Sequence, residues 1–143
     1  MAEDLGKNLL LLDTHVIVWS LMQPNELSDS IIKTINSAQE NGNLLLSSIS
    51  LWEIAMLKAK KRINIYQPIK EFLKTIVDID GMNIVDLSSG IAAESTLLVD
   101  DFHGDPADRI IAATAIETGA IILTRDSKIL SWANLGNARA IKV

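Results

Sequence analysis

The chain has 143 residues, an ordinary single domain's length, and 48% of them are hydrophobic, enough for a full core. A formal net charge of −5 gives no overall attraction for nucleic acid, so an anionic substrate needs a local basic patch or a bridging metal. The absence of cysteine excludes disulfides and thiolate metal sites and suits a reducing cytosol, and apolar runs such as Leu9 to Leu12 are too short to span a bilayer.

In chain order, the acidic start Met1-Ala2-Glu3-Asp4 lacks the charged-then-apolar layout of a signal peptide. Asn8 to Asp13 (NLLLLD) reads as a strand buried on both faces and closed by an acid. A helix follows to about Met22, where Pro24-Asn25 breaks it. Ser28 caps a second helix carrying Ile31, Ile32, Ile35 and Ala38 at helical spacing. Asn41-Gly42-Asn43 turns the chain into a second strand, Leu44 to Ser47. The next helix is expected from Ser50 to about Lys61, opened by the capping box Ser50-Leu51-Trp52-Glu53. Pro68 starts a further helix through Phe72, Leu73 and Ile76. Met82 to Val85 is a brief strand, and Ser88 to about Leu98 a helix. After a loop at 100–104, Pro106 to Thr118 is helical, ended by Gly119. Ala120 to Thr124 is a strand, Asp126 or Ser127 starts a short helix, and Ala138 to Val143 supplies a last strand.

Strands alternating with helices predict one α/β domain over residues 1–143 with a central parallel sheet. Right-handed crossovers then place strand C-termini and helix N-termini on one edge, where open α/β sheets bind ligands. Asp13, Glu53, Asp105, Asp108 and Asp126 all fall on that edge. Each also has a plain structural reading, since first turns favour acids and Asp105 before Pro106 is a good N-cap. Capping puts acids near helix starts, but it does not gather five of them on one edge. Converging carboxylates repel unless a cation neutralises them. With no thiols and only His15 and His103 as imidazoles, an all-oxygen site points to Mg²⁺, with Mn²⁺ as the substitute. Such an ion polarises a phosphoryl group and acidifies an attacking water, so phosphodiester hydrolysis is the natural chemistry.

The segments LLLDTHVIVW, SSISLWEIAML, HGDPADRIIAATA and ILTRDSKIL, in that order, resemble the PIN-domain nucleases, above all the VapC-type toxins of toxin–antitoxin pairs. The resemblance covers nearly the whole chain and implies a PIN-like three-layer fold, a central parallel sheet flanked by helices. It also implies a magnesium-dependent endoribonuclease acting on RNA, a cognate antitoxin, frequent homodimers and a cytoplasmic place without membrane attachment. Carried over by position, the family acids match Asp13, Glu53, Asp108 and Asp126. Asp105 is an extra acid of a "DPxD" variant, with a lesser role.

The remaining candidates carry two readings each. Thr14 and Ser50 either hold a metal-bound water or cap helices, and capping is favoured. Thr124 either supports Asp126 or ends its strand. Lys58, Lys60, Lys61 and Arg62 are either a solvated helix end or a phosphate-gripping patch. Against the patch stands geometry, because a helix C-terminus lies away from the ligand edge. His15 and His103 are read as structural or solvated, Trp19, Trp52 and Trp132 as core or interface packing rather than base-stacking platforms, and Asp86 lies outside the site. Two rivals remain: a phospho-acceptor, receiver-like signalling domain, disfavoured because Thr124-Arg125-Asp126 offers no edge lysine, and a catalytically silent scaffold of the same fold.

Overall fold

The computed structural model describes residues 5–102 and 104–143; the expectations for Met1 to Asp4 and for His103 fall outside them. Five strands form one parallel sheet in the order β3-β2-β1-β4-β5. They are β1 (Leu10–Leu12), β2 (Leu44–Ser47), β3 (Met82–Val85), β4 (Ile121–Thr124) and β5 (Arg139–Lys142). The seven α-helices of the described residues are α1 (Thr14–Met22), α2 (Asp29–Glu40), α3 (Ser48–Ala59), α4 (Ile69–Val77), α5 (Ser89–Thr96), α6 (Pro106–Thr118) and α7 (Ser127–Trp132). This is the expected α/β architecture with a central parallel sheet. Its strand order departs from the 2-1-3-4-5 order of flavodoxin-like receivers, which counts against the phospho-acceptor reading.

The run of leucines in β1 follows from its central place. Leu10 and Leu12 pack with Val16, Ile35 and Phe72 on one face of the sheet, and Leu11 packs with Ile111, Ile122 and Trp132 on the other. Successive side chains of a strand point to opposite faces, so a strand covered on both sides is apolar at every position. Helix α6 ends as expected at Gly119, whose φ of +72° is the left-handed conformation that glycine adopts without a Cβ clash.

One of the shifted boundaries bears on the site. Helix α3 starts at Ser48, not Ser50, and Ser47 is its N-cap, its Oγ accepting from Ile49 N at 3.2 Å. The strand passes into the helix without a loop, so the last residue of β2 is itself the cap. The capping box Ser50–Glu53 therefore does not form, and Glu53 lies in the second turn instead of the first. Glu53, one turn further into the helix than expected, still lines the cavity at the ligand edge.

Candidate metal centre

Asp13 follows β1 and is the N-cap of α1. Its Oδ1 accepts from Thr14 N at 2.8 Å and its Oδ2 from Thr124 Oγ1 at 2.6 Å. Parallel pairing of β1 with β4 brings the two together, and Asp13 N donates to Leu123 O at 3.0 Å. Asp13 is buried, and burial raises its carboxyl above the usual range; the hydrogen bonds from Thr124 and Thr14 pull the other way without cancelling it.

The Thr124 hydroxyl also accepts from Asp126 N at 3.0 Å. Asp126 in turn caps α7, with Oδ1 accepting from Lys128 N at 2.8 Å and Ile129 N at 3.0 Å. Thr124 thus ties Asp13 to the cap of α7, and supporting Asp126 and ending its strand are the same role. Replacing it by valine, which keeps the shape and removes the hydroxyl, is expected to cost about 1.5–3 kcal/mol, the usual worth of a hydrogen bond to a charged group. Urea unfolding of Thr124→Val beside the wild type measures this; an unchanged midpoint would mean that the bond contributes nothing.

Thr14 and Ser50 cap nothing, contrary to expectation. Thr14 is the first residue inside α1 and Ser50 the third inside α3, and both are buried. Thr14 Oγ1 stands 2.5 Å from Glu53 Oε1 and 2.8 Å from Ser50 Oγ. An ionised carboxylate only accepts, so the Thr14 proton points to Glu53 and the Ser50 hydroxyl supplies the proton between the two alcohols. This relay fixes the Glu53 rotamer. Burial raises the Glu53 carboxyl, the Thr14 bond lowers it, and Asp13 and Asp105 raise it further.

Asp105 caps α6, accepting from Asp108 N at 2.9 Å, and Pro106 occupies the first helical position as expected. Arg109, one residue after Asp108, reaches back to donate to Phe102 O at 2.7 Å and Ser95 O at 3.3 Å, holding the loop before Asp105. Among the described residues nothing donates to the Asp108 side chain. Burial raises its carboxyl to about 7, with Asp105, Asp126, Asp13 and Glu53 all adding to the rise. A carboxyl that four others push toward neutrality is the electrostatic signature of a cluster lacking its counter-charge.

All five acids line one cavity of about 370 Å³, together with His15, Val16, Trp19 and Arg125. Asp86 is not among them. His15 is exposed at the rim, its ring 5.7 Å from that of Trp19. Trp132 is core packing, edge-on to Phe102 at 5.2 Å. Trp52 is not core, for it is 56% exposed. Arg125 is a wall residue that the sequence reading passed over. Its guanidinium stacks 4.2 Å from the Trp19 ring centroid and donates to Val143 O, Glu26 Oε2 and Glu26 O at 2.8, 3.1 and 2.6 Å. The only signal for it was its place between Thr124 and Asp126.

The donor set fits a hard, oxygen-liganded divalent cation: five carboxylates line the cavity, with no sulfur. Among the described residues no three Asp, Glu or His side chains converge tightly enough to chelate an ion by themselves. Mg²⁺ does not require that, since it keeps several waters and takes one or two carboxylates directly.

This parallel fold, with its acids gathered at the strand C-termini, belongs to a known class. The PIN domain matches residues 10–135, and the chain belongs to that family. Ribonuclease VapC22 of Mycobacterium tuberculosis (strain ATCC 25618 / H37Rv) is 35% identical over 122 residues, covering 85% of this chain and 90% of that protein, which places the chain among the VapC proteins. Two solved structures share the fold. VapBC2 from Rickettsia felis, bound to a DNA fragment from its promoter, has a TM-score of 0.68 at 17% identity and covers 93% of this chain and 97% of its own. DNA-bound VapBC from Salmonella typhimurium has a TM-score of 0.65 at 16% identity, covering 93% and 96%.

Proposed function

We propose that this chain is a magnesium-dependent endoribonuclease, the toxin of a toxin–antitoxin pair. The observation that carries the reading is the cavity in which carboxylates from four separate segments meet, the others raising the proton affinity of Asp108. The name of its 35%-identical relative supports ribonuclease chemistry, and the VapBC complexes that share its fold support an antitoxin partner. Homodimer formation and a cytoplasmic place belong to the same reading. No helix among the described residues is long and apolar enough to cross a membrane.

Asp13, Glu53, Asp108 and Asp126 would hold the metal or orient its waters. When bound, Mg²⁺ supplies polarisation of a phosphoryl oxygen and a water acidic enough to attack phosphorus. Asp13 is kept in one orientation by Thr14 N and Thr124 Oγ1, and Glu53 is kept in its own by the Thr14 hydroxyl. Asp108, to which nothing donates among the described residues, is the acid most open to an ion. Asp105 contributes charge and the cap of α6. Its amide variant keeps the cap, so Asp105→Asn is expected to retain its melting temperature and to lose less than about tenfold in cleavage. A loss as deep as that of Asp108→Asn would make Asp105 a full ligand.

The test of the activity is incubation with total cellular RNA in Mg²⁺, in Mn²⁺ and in chelator, with sequencing of the new ends. New ends at defined positions, absent in chelator, are the expected result. Intact RNA under every condition would leave the fold as a silent scaffold.

A further inference from the structure

A second groove, of about 200 Å³, opens off the acidic cavity and shares Glu53 and Asp105 with it. It follows the outer face of α3, lined beyond Glu53 by Trp52, Met56, Lys60 and Arg62. Residues four apart on a helix lie one above another, so Trp52, Met56 and Lys60 form a stripe. At 1.5 Å per residue that stripe carries the groove about 12 Å from the acids to the end of the helix. The objection that a helix C-terminus lies away from the ligand edge is thereby met, because the groove spans the distance.

The chain ends α3 in an uncommon way. Lys61 N donates to Lys58 O and Arg62 N to Leu57 O, both at 2.9 Å, a reversal that requires a left-handed residue; here Lys61 fills that place, with φ +57°. Glycine would occupy it with less strain. The turn folds Arg62 back beside Lys60. Both are exposed, and among the described residues neither has a carboxylate or other polar partner. Arg125, the cation in the acidic cavity, is instead committed to Glu26 and Val143.

We propose that this groove holds the single-stranded RNA flanking the scissile phosphate, with Lys60 and Arg62 on phosphates and a base stacked on Trp52. The proposal rests on the ribonuclease reading and adds to it where the substrate runs. A chain of net charge −5 repels RNA as a whole, so the strand must be gripped where free cations stand beside the acids. An exposed aromatic face next to unpaired cations is the chemistry that binds single strands without base-specific readout. Lys60, Arg62 and Trp52 are positioning residues that touch the strand away from the reacting atoms.

The probe is a 5′-fluorescein-labelled twelve-nucleotide oligouridine RNA, titrated by anisotropy in chelator at several salt concentrations, where nothing is cut. The wild type is expected to bind saturably. The double variant Lys60→Gln/Arg62→Gln should raise Kd at least about tenfold and reduce the slope of log K against log salt by about 1.4, since each single-strand phosphate contact contributes about 0.7. Trp52→Leu should raise Kd about fivefold or more, and Trp52→Phe, which keeps a stacking face, should stay near wild type. All three positions are exposed, so the folds should survive, and circular dichroism checks that. Absent wild-type binding, or an unchanged Kd and salt slope in the double variant, would overturn the proposal. So would a double variant that binds RNA normally but no longer co-purifies with its antitoxin, since the groove would then be a protein site. Because these measurements use no metal, they are independent of cleavage. A wild type that binds as expected but never cuts RNA would refute the ribonuclease reading and leave the groove standing.

Discussion

Purified Asp108→Asn protein is expected to leave cellular RNA almost uncut in saturating Mg²⁺, with cleavage lowered by at least about 10²-fold, the scale set by removing one electrostatic contact to the reacting group. The amide has nearly the volume of the carboxylate and sits in the first turn of α6, where Asp105 and not Asp108 provides the cap. No hydrogen bond to the Asp108 side chain is there to be lost among the described residues. The fold therefore has no reason to change, and a fall in activity reports the charge itself. Digestion of total RNA by matched amounts of the two proteins, followed over time, measures it. Wild-type rates from the variant would remove Asp108 from the site.

The second large effect is on stability, and its sign is the unusual one. The Asp108 carboxyl is raised from 3.8 to about 7, and Asp13 and Glu53 are raised as well. A carboxyl that holds its proton more tightly in the folded chain favours folding fully below its unfolded pKa. That contribution is lost as pH rises through the folded value. In chelator, the melting temperature is accordingly expected to fall as pH climbs from 5 to 8. Asp108→Asn should flatten that fall and melt higher than wild type at pH 8. Mg²⁺ at a hundred times its dissociation constant should restore about 2.7 kcal/mol to the wild type, roughly 8 °C in a chain of this size, and move the variant little. At one fixed Mg²⁺ concentration the restoration should be larger at pH 8 than at pH 5, because at low pH the ion has to displace a proton from Asp108. Thermal melts of both proteins in chelator and in Mg²⁺ at the two pH values decide it. A wild type that gains stability with rising pH in chelator, or an equal metal shift in both proteins, would show that the acids do not share a site.

The sheet was legible because its central strands are covered twice. Leu10 to Leu12 and Ile121 to Leu123 leave no polar position, and only a parallel core strand tolerates that. With the sheet parallel, the edge bearing Asp13, Glu53, Asp105, Asp108 and Asp126 followed from handedness alone. What could not be read was the choice among equivalent residues. SSIS offers three serines able to cap a helix, and the selection of Ser47 depends on where β2 stops pairing with β3. The hydroxyls of Thr14 and Thr124 look like ordinary β-branched and capping positions, and their partners lie 39 and 111 residues away. Arg125 was overlooked for the same reason, since Glu26 and Val143 meet it only after the chain has closed. That Trp52 lies outside the core was not legible, because α3 is apolar on more than one side and sequence spacing does not say which side meets solvent.

The 111-residue span between Asp13 and Thr124 also has a meaning in time. The acid emerges early in synthesis and its hydroxyl partner late, and β1 has no β4 beside it until residues 121–124 are made. A ribosome-bound chain that has already exposed Asp13, Glu53 and Asp108 but not Asp126 lacks the neighbour that seats Asp13 and one wall of the cavity. The carboxylates stay apart in an unclosed sheet, unable to share an ion. On the ribonuclease reading, competence for hydrolysis is thus deferred by strand order alone until β4 and Asp126 have been made.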